Sequence, residues 1–132
     1  MRDPQIEREA FSLVKRAQSF THAGRGIWVF MRSTHNAWLH LSILAVVMAL
    51  GAYFGITRIE WLFIALAAGL VLTAEAFNTA IEIDIDLTSP EYHPYARDTK
   101  DVAAGAVLIA AIAAAIIGLI IFLPYILARL QG

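Results

Sequence analysis

The chain has 132 residues, the size of one domain; 59% are apolar and 16% charged, with a mean hydropathy of +0.65, whereas a soluble globular chain is roughly 45–50% apolar. No Asp, Glu, Lys or Arg falls between Arg32 and Arg58 or between Asp101 and Arg129, and each gap is long enough to cross a bilayer, which takes roughly 20 apolar residues, so an ordinary water-soluble domain is excluded. The absence of cysteine excludes a disulfide framework and a thiolate zinc site, and a net charge of -1 leaves no broad basic surface for nucleic acid.

The first thirty residues mix Arg2, Asp3, Glu7, Arg8, Glu9, Lys15, Arg16 and Arg25, where a secretory signal would carry its apolar core; no cleaved leader is expected. From Ile6, apolar or small residues recur at Ala10, Leu13, Val14, Ala17 and Phe20, a helical stripe with charge on the other faces. Two placements fit it: an amphipathic helix lying on the membrane surface, or a cytoplasmic helix packed on the rest of the protein.

Three spans follow. The first runs from about Trp38 to Phe54, and Gly55-Ile56-Thr57-Arg58 makes a short turn before the second begins near Trp61, a residue type that anchors helices at the interface. The second stays purely apolar to Ala74, then continues in helical pattern while acquiring Glu75, Asn78, Glu82, Asp84 and Asp86, and Pro90 ends it. After a polar loop over 88–99, the third span runs from about Val102 to Leu127, rich in alanine, and small residues let helices approach closely. The expected fold is therefore an all-α membrane protein of one domain over 1–132: an N-terminal surface-helix region over 1–33, three transmembrane helices over 34–127, and a C-terminal tail over 128–132. Six of the ten Lys and Arg precede the first span and two, Arg97 and Lys100, lie between the second and third spans; by the positive-inside rule both segments face the cytoplasm.

The chemistry lies in the second span. Glu75, Asn78, Glu82 and Asp86 follow the spacing i, i+3, i+7, i+11, which keeps all four on one narrow helix face, with Asp84 opposite. Counted inward from Trp61, Glu75 lies roughly 21 Å along the helix, inside the cytoplasmic leaflet. A carboxylate at that depth costs at least roughly 2.5 kcal/mol by insertion scales and faces a partner helix or a functional site. Burial suits it to act as a general base. The plain structural alternative, carboxylates that only hold helices together, is weakened by the stacking of Glu, Asn and Glu, because such carboxylates repel unless a cation or a basic group lies between them. Lys100 and Asp101 sit at the mouth of the third span, within reach of the same region; a Lys there also serves simply as a topology marker. His35, His40 and His93 are read as ordinary hydrogen-bonded polar residues rather than metal ligands. No Gly-x-x-x-x-Gly-Lys phosphate loop and no protein-kinase signature is present, so a nucleotide would be held in some other way.

The run Ala74-Glu75-Ala76-Phe77-Asn78-Thr79-Ala80-Ile81-Glu82, then Asp86, Glu91-Tyr92-His93-Pro94 and Lys100-Asp101-Val102-Ala103-Ala104-Gly105-Ala106-Val107 closely resembles the small bacterial integral-membrane diacylglycerol kinase and undecaprenol kinase family, over about Phe20 to Leu123. The resemblance implies an inner-membrane homotrimer of three-span protomers that transfers phosphate from MgATP to a lipid alcohol. It implies Glu75 as general base, Glu82 as ligand of Mg²⁺, Asn78 in support of the nucleotide site, Lys100 on the phosphates and Asp101 beside it. The chain departs from the pattern at Thr34, where the family carries a Glu that completes the metal site, and at Ala37-Trp38; Asn36 and His40 match. Phosphoryl transfer needs positioning and charge neutralisation more than covalent help, and Glu75 lies at the depth of a lipid hydroxyl. The Asp-Val-Ala-Ala-Gly-Ala-Val run and Glu-Tyr-His-Pro lean toward undecaprenol as acceptor. Two other classes compete. A catalytically weakened family member that binds lipid or regulates a partner follows if Thr34 disables the metal site. A small proton-coupled transporter fits less well, because transporter sites sit near the midplane on broken helices.

Overall fold

The computed structural model describes residues 12–131, and the expected stripe residues Ile6 and Ala10 lie outside them. The described residues form four helices: α1 (Leu13–Ser33), α2 (His35–Phe54), α3 (Arg58–Thr88) and α4 (Pro94–Gln131). Three of them, α2, α3 and α4, are long and apolar enough to cross a membrane by length and composition. Their outward faces are apolar too, with Leu66, Leu70, Ile109, Leu119 and Ile120 exposed, the pattern of helices that meet hydrocarbon rather than water.

Local chemistry sets the boundaries. Ser12 caps α1, its side chain accepting from the Lys15 N–H. Gly55 closes α2 in the left-handed region, φ 63°, where a glycine lacks the Cβ penalty. Thr57 then opens α3 with a reciprocal capping box to Glu60, which satisfies two of the helix's orphan N–H groups. The α2 and α3 helices begin three residues earlier than their apolar runs, at His35 and Arg58, because caps and not hydropathy mark a helix start.

The loop expected over 88–99 is shorter. Helix α4 begins at Pro94, a residue whose fixed φ suits the first helical position, and His93 caps it: its Nδ1 accepts from the Tyr95 N–H at 3.2 Å and its carbonyl from the Arg97 N–H at 3.1 Å. Only the segment 89–93 remains between the helices. At the other end α4 continues past Pro124 to Gln131, so residues expected in a tail are helical.

Helices α3 and α4 form the most extensively packed pair, an antiparallel hairpin against which α2 leans. At the end near the Gly55 turn the core gathers Ile56, Ile64, Ile121 and Phe122 with Phe54, Trp61 and Tyr125 around them, and the Tyr125 hydroxyl donates to Glu60 Oε2 at 2.9 Å. Trp61, expected as an interface anchor, packs over Gly51: a Cβ built there would lie 2.6 Å from Trp61 Cη2. The indole is a packing element between α2 and α3.

Candidate active site

At the opposite end of the α3–α4 hairpin the acidic stripe passes from the apolar interior to the charged helix ends. Glu75 is 1% exposed, the largest fully buried side chain among the described residues. Burying a carboxylate without partners is costly, and here one oxygen is satisfied: His40 Nε2 lies 3.1 Å from Glu75 Oε1. The other oxygen, Oε2, is buried and has no hydrogen-bond partner among the described residues. One turn on, the Thr79 hydroxyl donates to the Glu75 carbonyl at 2.9 Å, so this buried hydroxyl is spent on the backbone and not on the carboxylate.

Asn78 is buried on the same face, and its Nδ2 donates to Glu82 Oε1 at 3.1 Å. That bond fixes the amide so that Oδ1 is left buried without a partner among the described residues. Two oxygens three residues apart, Glu75 Oε2 and Asn78 Oδ1, are thus desolvated and unpaired. Each costs about 1–3 kcal/mol in that state, and a native structure tolerates such groups where a ligand or a cation answers them.

The charged ends carry the remaining candidates. Lys100 Nζ lies 2.8 Å from Asp86 Oδ1, tying the last member of the stripe to α4. That hydrogen bond holds the Lys100 ammonium above its ordinary range, and the negative charges of Asp86 and Glu82 push the same way. Asp101 is exposed and turned toward Arg97, with Arg97 Nε 3.9 Å from its Oδ2. Thr34, the half-buried residue between α1 and α2, donates its hydroxyl to the Phe30 carbonyl at 3.3 Å. The structure therefore joins Glu75, Asn78 and Glu82 on one face and brings Lys100 to the end of that face, while Asp101 and Thr34 bond elsewhere.

The oxygen donors suit a hard cation. Mg²⁺ takes one or two carboxylates plus substrate phosphates and water rather than a closed protein cage. Among the described residues no group of three His, Asp or Glu side chains converges, while Glu82 carries a carboxylate held by Asn78 and Asn78 Oδ1 stands unpaired. Glu82 and Asn78 would hold such an ion, which would supply charge neutralisation to bound phosphates.

The sequence reads His40 as an ordinary hydrogen-bonded polar residue with no part in the site; among the described residues it is the one group found on the Glu75 carboxylate. The available signal was depth: His40 lies about 22 Å back along α2 from the Gly55 turn and Glu75 about 26 Å along α3 from Arg58, so a hairpin brings the two to the same level.

Residues 21–122 match the family of prokaryotic diacylglycerol kinases. The chain is 44% identical over 107 residues to the undecaprenol kinase of Bacillus subtilis (strain 168), an alignment covering 81% of this chain and 87% of that protein. It is 37% identical over 110 residues to a diacylglycerol kinase of Synechocystis sp., covering 83% of this chain and 63% of that longer protein. A diacylglycerol kinase of Helicobacter pylori (strain ATCC 700392 / 26695) is 29% identical over 106 residues, with 75% of this chain and 83% of that protein aligned.

Proposed function

Because the chain belongs to the prokaryotic diacylglycerol kinase family, we propose that it is a bacterial membrane lipid kinase that transfers the γ-phosphate of ATP, bound with Mg²⁺, to the hydroxyl of a membrane lipid alcohol. The acceptor class is undecaprenol or diacylglycerol, the substrates in the names of its relatives, and the 44% identity to an undecaprenol kinase favours the first. The observation that carries the reading is Glu75: a carboxylate 1% exposed on a membrane-spanning helix, with one oxygen bonded to His40 and the other unpaired. An unpaired buried carboxylate oxygen is the acceptor that a lipid hydroxyl needs as it attacks phosphorus.

In this reading Glu75 takes the hydroxyl proton and Glu82, steadied by Asn78, holds the metal. Lys100 leaves Asp86 to meet the phosphates, with Asp101 beside it. The N-terminus and the segment 89–93 face the cytoplasm, where ATP is, and the protein works as a homotrimer whose protomers cover one another's apolar faces.

The test offers undecaprenol and diacylglycerol together in micelles with labelled ATP. Label in one extracted lipid identifies the acceptor. Label in neither lipid removes the kinase reading and favours a family member that binds lipid without catalysis.

A further inference from the structure

His40 stands between two environments. Its ring closes one end of an apolar cavity of about 290 Å³ between α2, α3 and α4, walled by Leu44, Val71, Leu72 and Ala111 among others. Its Nε2 lies 3.1 Å from Oε1 of Glu75, and the two side chains are 18% and 1% exposed. A hydrogen bond to a charged group in such dry surroundings is stronger than in water and fixes direction as well as energy.

We infer that His40 is a positioning residue for the proton acceptor: by donating Nε2–H to Oε1, it locks the Glu75 carboxylate so that Oε2 alone meets the acceptor hydroxyl. The inference rests on the reading of Glu75 as general base. Glutamate has three rotatable bonds, and a carboxylate free to turn about its terminal torsion presents either oxygen to any donor. The other groups on this face leave the task to His40. Thr79 spends its hydroxyl on the Glu75 carbonyl, and Asn78 spends its amide N–H on Glu82. With Oε1 held from the α2 side, the proton moves from the lipid hydroxyl to Oε2 as the new O–P bond forms and the bond to the leaving ADP breaks. His40 itself keeps its proton throughout and touches neither substrate. Rotating or loosening the carboxylate costs orientation, which enters turnover rather than ATP affinity.

The experiment compares wild type, His40→Leu and His40→Gln for lipid phosphorylation, with kcat and the KM for MgATP measured separately and thermal unfolding followed in the same detergent. Leucine keeps an apolar side chain against the cavity and removes the donor; glutamine keeps an N–H that reaches toward Oε1. The expected result is a kcat roughly 10- to 100-fold lower in His40→Leu, the size of a lost charge-assisted hydrogen bond, with the KM for MgATP within about twofold. His40→Gln recovers most of that loss and unfolds close to wild type, while His40→Leu, which leaves Oε1 buried without a donor, unfolds at a lower temperature. An undiminished kcat in His40→Leu overturns the inference, as does a loss in His40→Gln equal to that in His40→Leu. A fall in kcat matched by an equal fold rise in the KM for MgATP makes His40 a structural residue only and overturns it too. If wild type itself labels no lipid, the general-base reading fails first, and the role of His40 with it.

Discussion

Lys100 Nζ lies 2.8 Å from Asp86 Oδ1, so the cation proposed to meet the phosphates sits on the last acidic residue of the stripe. Both side chains are partly exposed, at 38% and 68%, and an exposed pair is worth little; moving the ammonium onto phosphate forfeits a weak bond for a strong one. Lys100→Met is expected to raise the KM for ATP by roughly tenfold or more, and Asp86→Asn to change it by less than about threefold. The Lys100 ammonium is held above its ordinary range by Asp86. A group whose pKa is raised contributes fully below its ordinary value and loses that contribution only as pH climbs through the raised one. The effect of Lys100→Met on ATP is therefore constant across the neutral range, and a pH series of KM values checks it.

The metal site is predicted to be thin. Glu82 supplies the carboxylate, and Thr34, where a second is usual, gives its hydroxyl to Phe30. Glu82→Gln should weaken the dependence on Mg²⁺ and on ATP together, since a hard cation needs charged oxygen ligands. Thr34→Glu should lower the Mg²⁺ concentration for half-maximal activity. Magnesium titrations of both variants check this, and activity depressed at every Mg²⁺ concentration in Thr34→Glu would mean that a carboxylate such as Asp86 already fills the place.

At the far end of the hairpin, Gly51 lets the Trp61 indole approach α2 closely. Gly51→Val forces the ring aside, at about 1–3 kcal/mol for overpacking. A lower unfolding temperature in detergent is expected, while Gly24→Ala, with nothing within 4 Å of the added Cβ, should leave it equal or slightly higher because alanine favours helix.

Much of this was legible in the sequence for physical reasons. Charge-free gaps of bilayer length announce the spans, and the i, i+3, i+7, i+11 spacing of Glu75, Asn78, Glu82 and Asp86 places them on one helix face whatever the tertiary packing. Depth along the hairpin puts His40 and Glu75 at one level, but their contact was not legible, since it depends on how α2 leans on α3, which no periodicity encodes. The start of α4 at Pro94 was obscured because Tyr95, Asp98 and Lys100 are as common in loops as in the first turns of a helix, and the His93 cap is visible only once the backbone is known. The packing of Trp61 on Gly51 was hidden for a similar cause: interface and packing roles share one residue type, and only the fold shows the contact.

A homotrimer with sites shared between protomers predicts complementation. Helix α2 leans lightly on the hairpin, and the broad apolar faces of α3 and α4 are open to neighbours. Inactive Glu75→Gln protomers mixed with protomers defective in a residue contributed by the neighbouring protomer should recover part of the wild-type rate, as the mixed assembly rebuilds some intact sites. A fully active monomer in detergent would contradict shared sites.

The most direct measurement is Glu75→Gln, because the amide keeps the shape of the side chain and loses the proton acceptor. The account predicts that turnover in the lipid phosphorylation assay falls by at least about 100-fold, the usual contribution of a general base, while the Kd for MgATP stays within about twofold of wild type. Wild-type turnover in this variant, or a loss of ATP binding as large as the loss of turnover, would contradict it.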